Sequence, residues 1–171
     1  GVVFFSDKIE KFIPPKKGRK HILLIIREII NFEPDNKATN IDCALHFMTE
    51  AIKKKCAAFL ISDFIDDGDY SKSMTIANRK HDLTAIQVYD KRDSKMPDVG
   101  LVRVVDSETG KEMWIDTSSK RVRQLYDKAW YERQQRLYSI TAKSGVDIAS
   151  VATDEDYVKS LLGLFKKRSI H

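Results

Sequence analysis

The densest run of chemically capable side chains is Asp63-Phe64-Ile65-Asp66-Asp67-Gly68-Asp69. Carboxylates this close together suit a hard cation or general acid–base work. The run does not fit an EF-hand, whose loop needs oxygen ligands at its first, third and fifth positions and a glutamate at its twelfth. Counted from Asp63, the third position is Ile65 and the twelfth is Met74. Asp66, Asp67 and Asp69 therefore read as a solvated acidic loop that caps a helix starting at Ser71. Asp63 differs because it closely follows the apolar run Ala57 to Ile61. At a strand end a carboxylate either accepts hydrogen bonds from loop amides or binds a cation, and both readings stay open.

Other chemistry is excluded or weak. There is no G-x-x-x-x-G-K-[ST], no G-x-G-x-x-G and no G-x-S-x-G, so phosphate loops and a nucleophile elbow are absent. Cys43 and Cys56 form no C-x-x-C pair and no zinc-ligand set, and they read as packed thiols in a reducing cytosol. His21 and His81 fall near helix ends, where surface histidines are common. His46 stands three residues after Cys43, which is too little for a metal site, and His171 ends the chain. Basic clusters at Lys16-Lys17-Gly18-Arg19-Lys20, Arg121-Val122-Arg123 and Lys166-Lys167-Arg168 would bind nucleic acid only if they shared one face. Their placement at helix ends favours an ordinary solvated surface.

The elements that must position these residues read as follows. Val2 to Phe5 and Ile9 to Ile13 form a hairpin around Ser6-Asp7, closed by Pro14-Pro15. A helix runs from Gly18 to Phe32, and a second is capped by Thr39 or Asn40 with the stripe Ile41, Ala44, Leu45, Met48 and Ile52. Ala57 to Ile61 and Leu83 to Tyr89 read as parallel strands buried on both faces, with a helix over Ser71 to Lys80 between them. Lys91 to Asp98 reads as loop. Leu101 to Val105 and Glu112 to Ile115 read as a hairpin turning at Ser107-Glu108-Thr109-Gly110. A long helix capped by Ser118 or Ser119 presents Val122, Leu125, Ala129, Trp130, Leu137 and Ile140 on one face and ends at Gly145. Val146 to Val151 reads as a third buried strand. The last helix begins at Thr153-Asp154-Glu155-Asp156, with Tyr157, Val158, Leu161, Leu162 and Phe165 as its apolar face. Strands alternating with helices argue for an α/β fold with a mostly parallel sheet flanked by helices. Ligands in such sheets sit at the C-terminal strand ends, so the loop after Ile61 is the place for chemistry.

The whole is 171 residues, 42% hydrophobic and 32% charged, with a net charge of +5. That suits one soluble globular domain over residues 1–171, with the hairpin at about 99–117 as an insertion. No apolar run approaches the roughly 20 residues of a membrane span. The chain opens without Met on Gly1 to Phe5, as expected of a fragment or a processed product.

The stretches FFSDKIEKFIPPKKGRKH (Phe4 to His21), FLISDF (Phe59 to Phe64), MPDVGLVRV (Met96 to Val104), WIDTSS (Trp114 to Ser119) and TDEDYVKSLLGLFKKR (Thr153 to Arg168) resemble, in order, the bacterial domain of unknown function fifty-eight. The resemblance implies a von Willebrand factor A-like, Rossmann-like three-layer fold. It also implies a partnership with a MoxR-type AAA+ ATPase in chaperone-like assembly or maturation, with no enzymatic activity. A-like domains often carry a metal-ion-dependent adhesion site. It is built from Asp-x-Ser-x-Ser on the first strand, a Thr from a second loop and an Asp from a third. Thr39 and Asp63 correspond to those last two ligands. Asp-x-Ser-x-Ser is not among the 171 residues, and the chain corresponds to the family's fold from its second strand. The resemblance thus implies weak or no Mg²⁺ binding by this segment and possible binding in the full-length protein. The expected function is a cytoplasmic protein-interaction domain, with a homodimer favoured because a missing first strand leaves an apolar edge bare. The contending readings are a metal-dependent hydrolase using Asp63 and the acidic loop, and a nucleic-acid-binding module.

Overall fold

In the computed structural model, residues 1–105 and 110–168 are described. The elements in chain order are β1 (Val2–Phe5), β2 (Ile9–Ile13), α1 (Arg19–Asn31), α2 (Ile41–Ala51), β3 (Ala57–Ser62), α3 (Ser71–Lys80), β4 (Asp82–Tyr89), α4 (Lys91–Ser94), β5 (Leu101–Val105), β6 (Glu112–Asp116), α5 (Lys120–Ser144), β7 (Asp147–Ala152) and α6 (Tyr157–Arg168). They build a mixed α/β fold whose core is a parallel sheet in the order β3-β4-β7. The β1-β2 and β5-β6 hairpins are separate antiparallel pairs. The expected hairpin turn at 107–109 and His171 lie outside the described residues.

Period-two alternation decides which side of β3 enters the core. Leu60 is buried and Ala58 partly so, both against Ile41, Leu45, Met74 and Ala77 of α2 and α3. Their neighbours Phe59 and Ile61 point to the opposite face, where they remain 46% and 58% exposed. There the Phe59 ring meets Phe165 of α6 edge-on at 6.3 Å. The expectation that this strand is covered on both faces is therefore corrected, while its outer edge is bare among the described residues as expected. It is an outer strand with one covered face. Its apolar run misleads because burial depends on neighbours the run does not encode. Among the described residues only β4, the central strand, is flanked on both edges, and its Leu83, Thr84, Ala85 and Gln87 are buried.

Helix ends follow local chemistry. Asn40 caps α2, its Oδ1 accepting from Cys43 N–H at 2.9 Å. Gly145 closes α5 in the left-handed region at φ 67°, where a Cβ would be strained. Two helical faces differ from the sequence reading. α5 buries Leu137, Ile140, Thr141 and Ser144, while Leu125 is exposed. With 25 residues it is about 37 Å long at 1.5 Å per residue, and its buried residues all fall in its second half. α6 buries Leu164, whereas Tyr157, Val158, Leu162 and Phe165 stay largely exposed. α1 has no buried residue at all. The stretch expected as loop contains α4, one turn closed by a reciprocal Asp90–Asp93 capping box.

His81 is corrected from surface to core: it is 1% exposed. Of the basic clusters, Lys166–Arg168 is no free patch. Arg168 is paired with Asp82 and Asp147 and donates to Thr84 Oγ1 at 2.6 Å, locking α6 across the N-terminal ends of β4 and β7.

Candidate functional site

Two loops carry the sequence-predicted residues, and the N-terminus of α2 brings them to one end of the molecule. Ser6, at the end of β1, accepts a hydrogen bond from Asn40 N–H at 2.8 Å through its carbonyl. Asp66, in the loop after β3, accepts from Ile41 N–H at 2.7 Å through Oδ2 and from Gly68 N–H at 2.7 Å through Oδ1. The C-terminal ends of both strands therefore meet at the same helix end. Among the described residues β1 and β3 share no ladder; each is hydrogen-bonded along one edge only, to β2 and β4 respectively. Thr39 belongs to the first side of this opening and Asp63 to the second.

Thr39 is half-buried and lines a surface cleft of about 440 Å³ with Phe5, Ser6, Asn36 and Lys37. The cleft's floor is held by a polar cluster that the sequence reading treated only as a turn. Ser6 Oγ donates to Glu10 at 2.6 Å and to Asp7 at 3.0 Å, and Asn36 donates to both Asp7 oxygens at 3.0 and 3.2 Å. Those donors from Asn36 and Ser6 hold the Asp7 carboxyl below its ordinary range. The signal that could have exposed it is the pairing of Ser6-Asp7 with a second Asp-Asn pair at Asp35-Asn36.

Asp63 is exposed at the tip of β3, and its Oδ1 accepts from Ile65 N–H at 3.0 Å. The residue between them, Phe64, sits at φ 58°, a left-handed conformation that costs a bulky side chain about 1–2 kcal/mol. The loop tolerates it because the Phe64 ring is buried beside Tyr70 and its N–H donates to Ser62 Oγ at 3.0 Å. From below, the fully buried Gln87 donates to the Asp63 carbonyl at 3.4 Å, accepts from Ser150 Oγ at 2.9 Å, and so joins a chain that ends at Tyr138. Gln87 was missed because only the strand register places it under the loop. Arg136 of α5 donates to the carbonyls of Asp66, Asp67 and Gly68. Asp69 caps α3 through Ser71 N–H at 3.0 Å, and that interaction keeps its carboxyl low. The acidic loop is thus a braced connection in which Asp66 and Asp69 serve the fold. Asp63 is left facing solvent with a spare carboxylate oxygen.

Among the described residues no cluster of three His, Cys, Asp or Glu could hold a metal ion. Thr39 and Asp63 supply one hydroxyl and one carboxylate, which fit part of a hard cation's oxygen shell but cannot complete it.

The profile of a family described as "Protein of unknown function DUF58" matches residues 1–136. That extent stops short of the Thr153 to Arg168 stretch. The chain is 25% identical over 160 residues to the uncharacterized protein MAV169 of Mycobacterium avium, covering 91% of this chain and 93% of that one. It is 24% identical over 160 residues to the uncharacterized protein Rv1480 of Mycobacterium tuberculosis, and there it spans half of the relative's length. Two solved structures share the fold. One is the conserved hypothetical protein BatB from Bacteroides thetaiotaomicron, with a TM-score of 0.57 and 12% identity over 99% of this chain and 78% of that one. The other is an aerotolerance-related membrane protein from Bacteroides fragilis, with a TM-score of 0.56 and 10% identity over 96% and 77%.

Proposed function

The chain belongs to the DUF58 family of proteins of unknown function, and from that premise we propose that it is a von Willebrand factor A-like protein-interaction domain without enzymatic activity. Its partner is a MoxR-type AAA+ ATPase in the cytoplasm, and the pair acts in chaperone-like assembly or maturation of other proteins. One observation carries the reading. Among the described residues β1 and β3 each leave one edge unpaired, and their C-terminal ends meet at the N-terminus of α2 with Thr39 and Asp63 at the rim. A strand seated between them and parallel to β3 would complete a six-stranded sheet and deliver its own C-terminal loop to that rim. If that loop carries Asp-x-Ser-x-Ser, its oxygens join Thr39 and Asp63 around Mg²⁺. The cation then keeps an exchangeable position for a partner's carboxylate.

The experiment is calorimetric Mg²⁺ titration of this chain and of a chain extended upstream of Gly1 to include such a strand. The extended chain should bind at least tenfold more tightly, and Asp63→Ala in it should abolish the gain. Equal affinity in the two chains would overturn the metal-site reading. No helix among the described residues is long and apolar enough to cross a membrane.

A further inference from the structure

At the opposite end of the sheet, where β3 and β4 begin, a thiol and an imidazole meet. Cys56 Sγ lies 3.4 Å from His81 Nδ1. Cys56 is a free, partly exposed thiol, whereas His81 is 1% exposed and its Nε2 is buried with no hydrogen-bond partner among the described residues. The backbone fixes the pair, since Asp82 N–H donates to the Cys56 carbonyl at 2.8 Å and His81 N–H to Ala77 at 2.8 Å. Burial and the neighbouring Lys80 hold the imidazole in its neutral form. A neutral imidazole carries one N–H. Placing it on Nε2 would orphan a buried donor, which native structures rarely tolerate. Placing it on Nδ1 aims the donor at the sulfur and leaves only a bare acceptor unpaired. Lys53, Lys54 and Lys55, all exposed, immediately precede the thiol.

We propose that Cys56 is a thiol-modification site for small anionic disulfides of the glutathione class. The Cys56 thiolate attacks one sulfur of the disulfide. A Cys56–S–S–R bond forms, the original S–S bond breaks, and the departing thiolate takes the proton that Cys56 lost to solvent. The disulfide is the oxidant and nothing else is consumed. His81 Nδ1–H and the lysine run stabilise the negative charge spread over three sulfurs in the transition state, and the lysines attract an anionic reagent. Cys43, partly exposed at the start of α2 and, among the described residues, without a hydrogen bond to an imidazole, is the internal control.

The test treats the intact chain with an anionic aromatic disulfide and with a neutral pyridyl disulfide, following thiol release. Cys56→Ser and Cys43→Ser assign the phases. Mass spectrometry after oxidised glutathione locates the adduct. The Cys56 phase should be the faster with the anionic probe. In Cys43→Ser, His81→Phe should slow it about tenfold, the worth of one hydrogen bond to a charged group. Where that variant does not fold, replacing Lys53, Lys54 and Lys55 by Gln leaves the core untouched. It should cut the anionic-to-neutral rate ratio several-fold, a ratio a purely structural Cys–His contact would not move. A Cys56 phase no faster than that of Cys43, or a rate ratio unchanged by the lysine replacements, overturns the proposal.

Discussion

Leu60 and Ile61 are adjacent in one apolar run and would be expected to contribute alike to stability, yet they face opposite sides of β3. Leu60 is 7% exposed within the α2–α3 core, and Ile61 is 58% exposed on the other face. Leu60→Ala removes a packed side chain and leaves a cavity, a loss of about 2–5 kcal/mol. Ile61→Thr keeps the β-branch, trades an ethyl group for a hydroxyl at the surface, and should cost no more than about 0.5 kcal/mol. A chain this size has a urea m-value of about 2 kcal/mol/M, so the midpoint should fall by about 1–2.5 M for Leu60→Ala and by about 0.3 M or less for Ile61→Thr. The assay is urea unfolding followed by circular dichroism at two protein concentrations tenfold apart. Equal shifts for the two variants, independent of concentration, would refute the assignment of faces. Equal shifts that grow with concentration would show a second chain covering the bare face of β3.

Three further outcomes follow from the same geometry. Gln87→Met keeps the buried volume but strips the Asp63 carbonyl of its donor and Ser150 of an acceptor. It should cost about 1–3 kcal/mol in urea unfolding, and an unchanged midpoint would remove Gln87 as a brace. Asp66→Ala deletes the acceptor shared by Ile41 and Gly68 and should cost about 1–2 kcal/mol; hydrogen exchange should rise first at the start of α2, and exchange rising elsewhere instead would count against it. For His81 the folded pKa is depressed by burial. Below about pH 6.5 the unfolded chain therefore takes up a proton that the native state refuses. Stability then falls as pH drops from about 6.5 toward the folded value and is flat above it. Replacement by Gln should flatten that part of a pH–stability curve, and a slope that persists would assign it to other groups.

Much of this organisation is legible in the residues. Alternation and turn residues give both hairpins, Asn40 announces the cap it forms, and Gly145 marks the end of α5. What escapes is whatever depends on a distant neighbour. The run Ala57 to Ile61 has the composition of a strand covered on both faces, and only its outer place in the sheet exposes Phe59 and Ile61. Tyr157, Val158, Leu162 and Phe165 match a helical stripe, yet Leu164 is the residue that docks, because Arg168 fixes the roll of α6 through Asp82 and Asp147. His81 looks like a helix-end surface residue until Cys56 and the start of β4 enclose it. The turn at Lys91–Ser94 was within reach, since Asp90 and Asp93 have the spacing of a capping box. At the candidate site, Thr39 and Asp63 come from the family pattern. Gln87, Arg136 and Asn36 come from strand register and helix length, which local sequence does not record.

The central claim is that the rim carrying Thr39 and Asp63 binds a protein partner. Asp63 is exposed, so its loss should leave the fold standing. The most direct measurement is the affinity of the full-length protein for the proposed partner, a MoxR-type ATPase, with Mg²⁺ present, compared for wild type and Asp63→Ala by calorimetry alongside thermal unfolding. The account predicts at least a tenfold weaker complex with an unchanged melting temperature, and an unaltered affinity from a folded Asp63→Ala protein would contradict it.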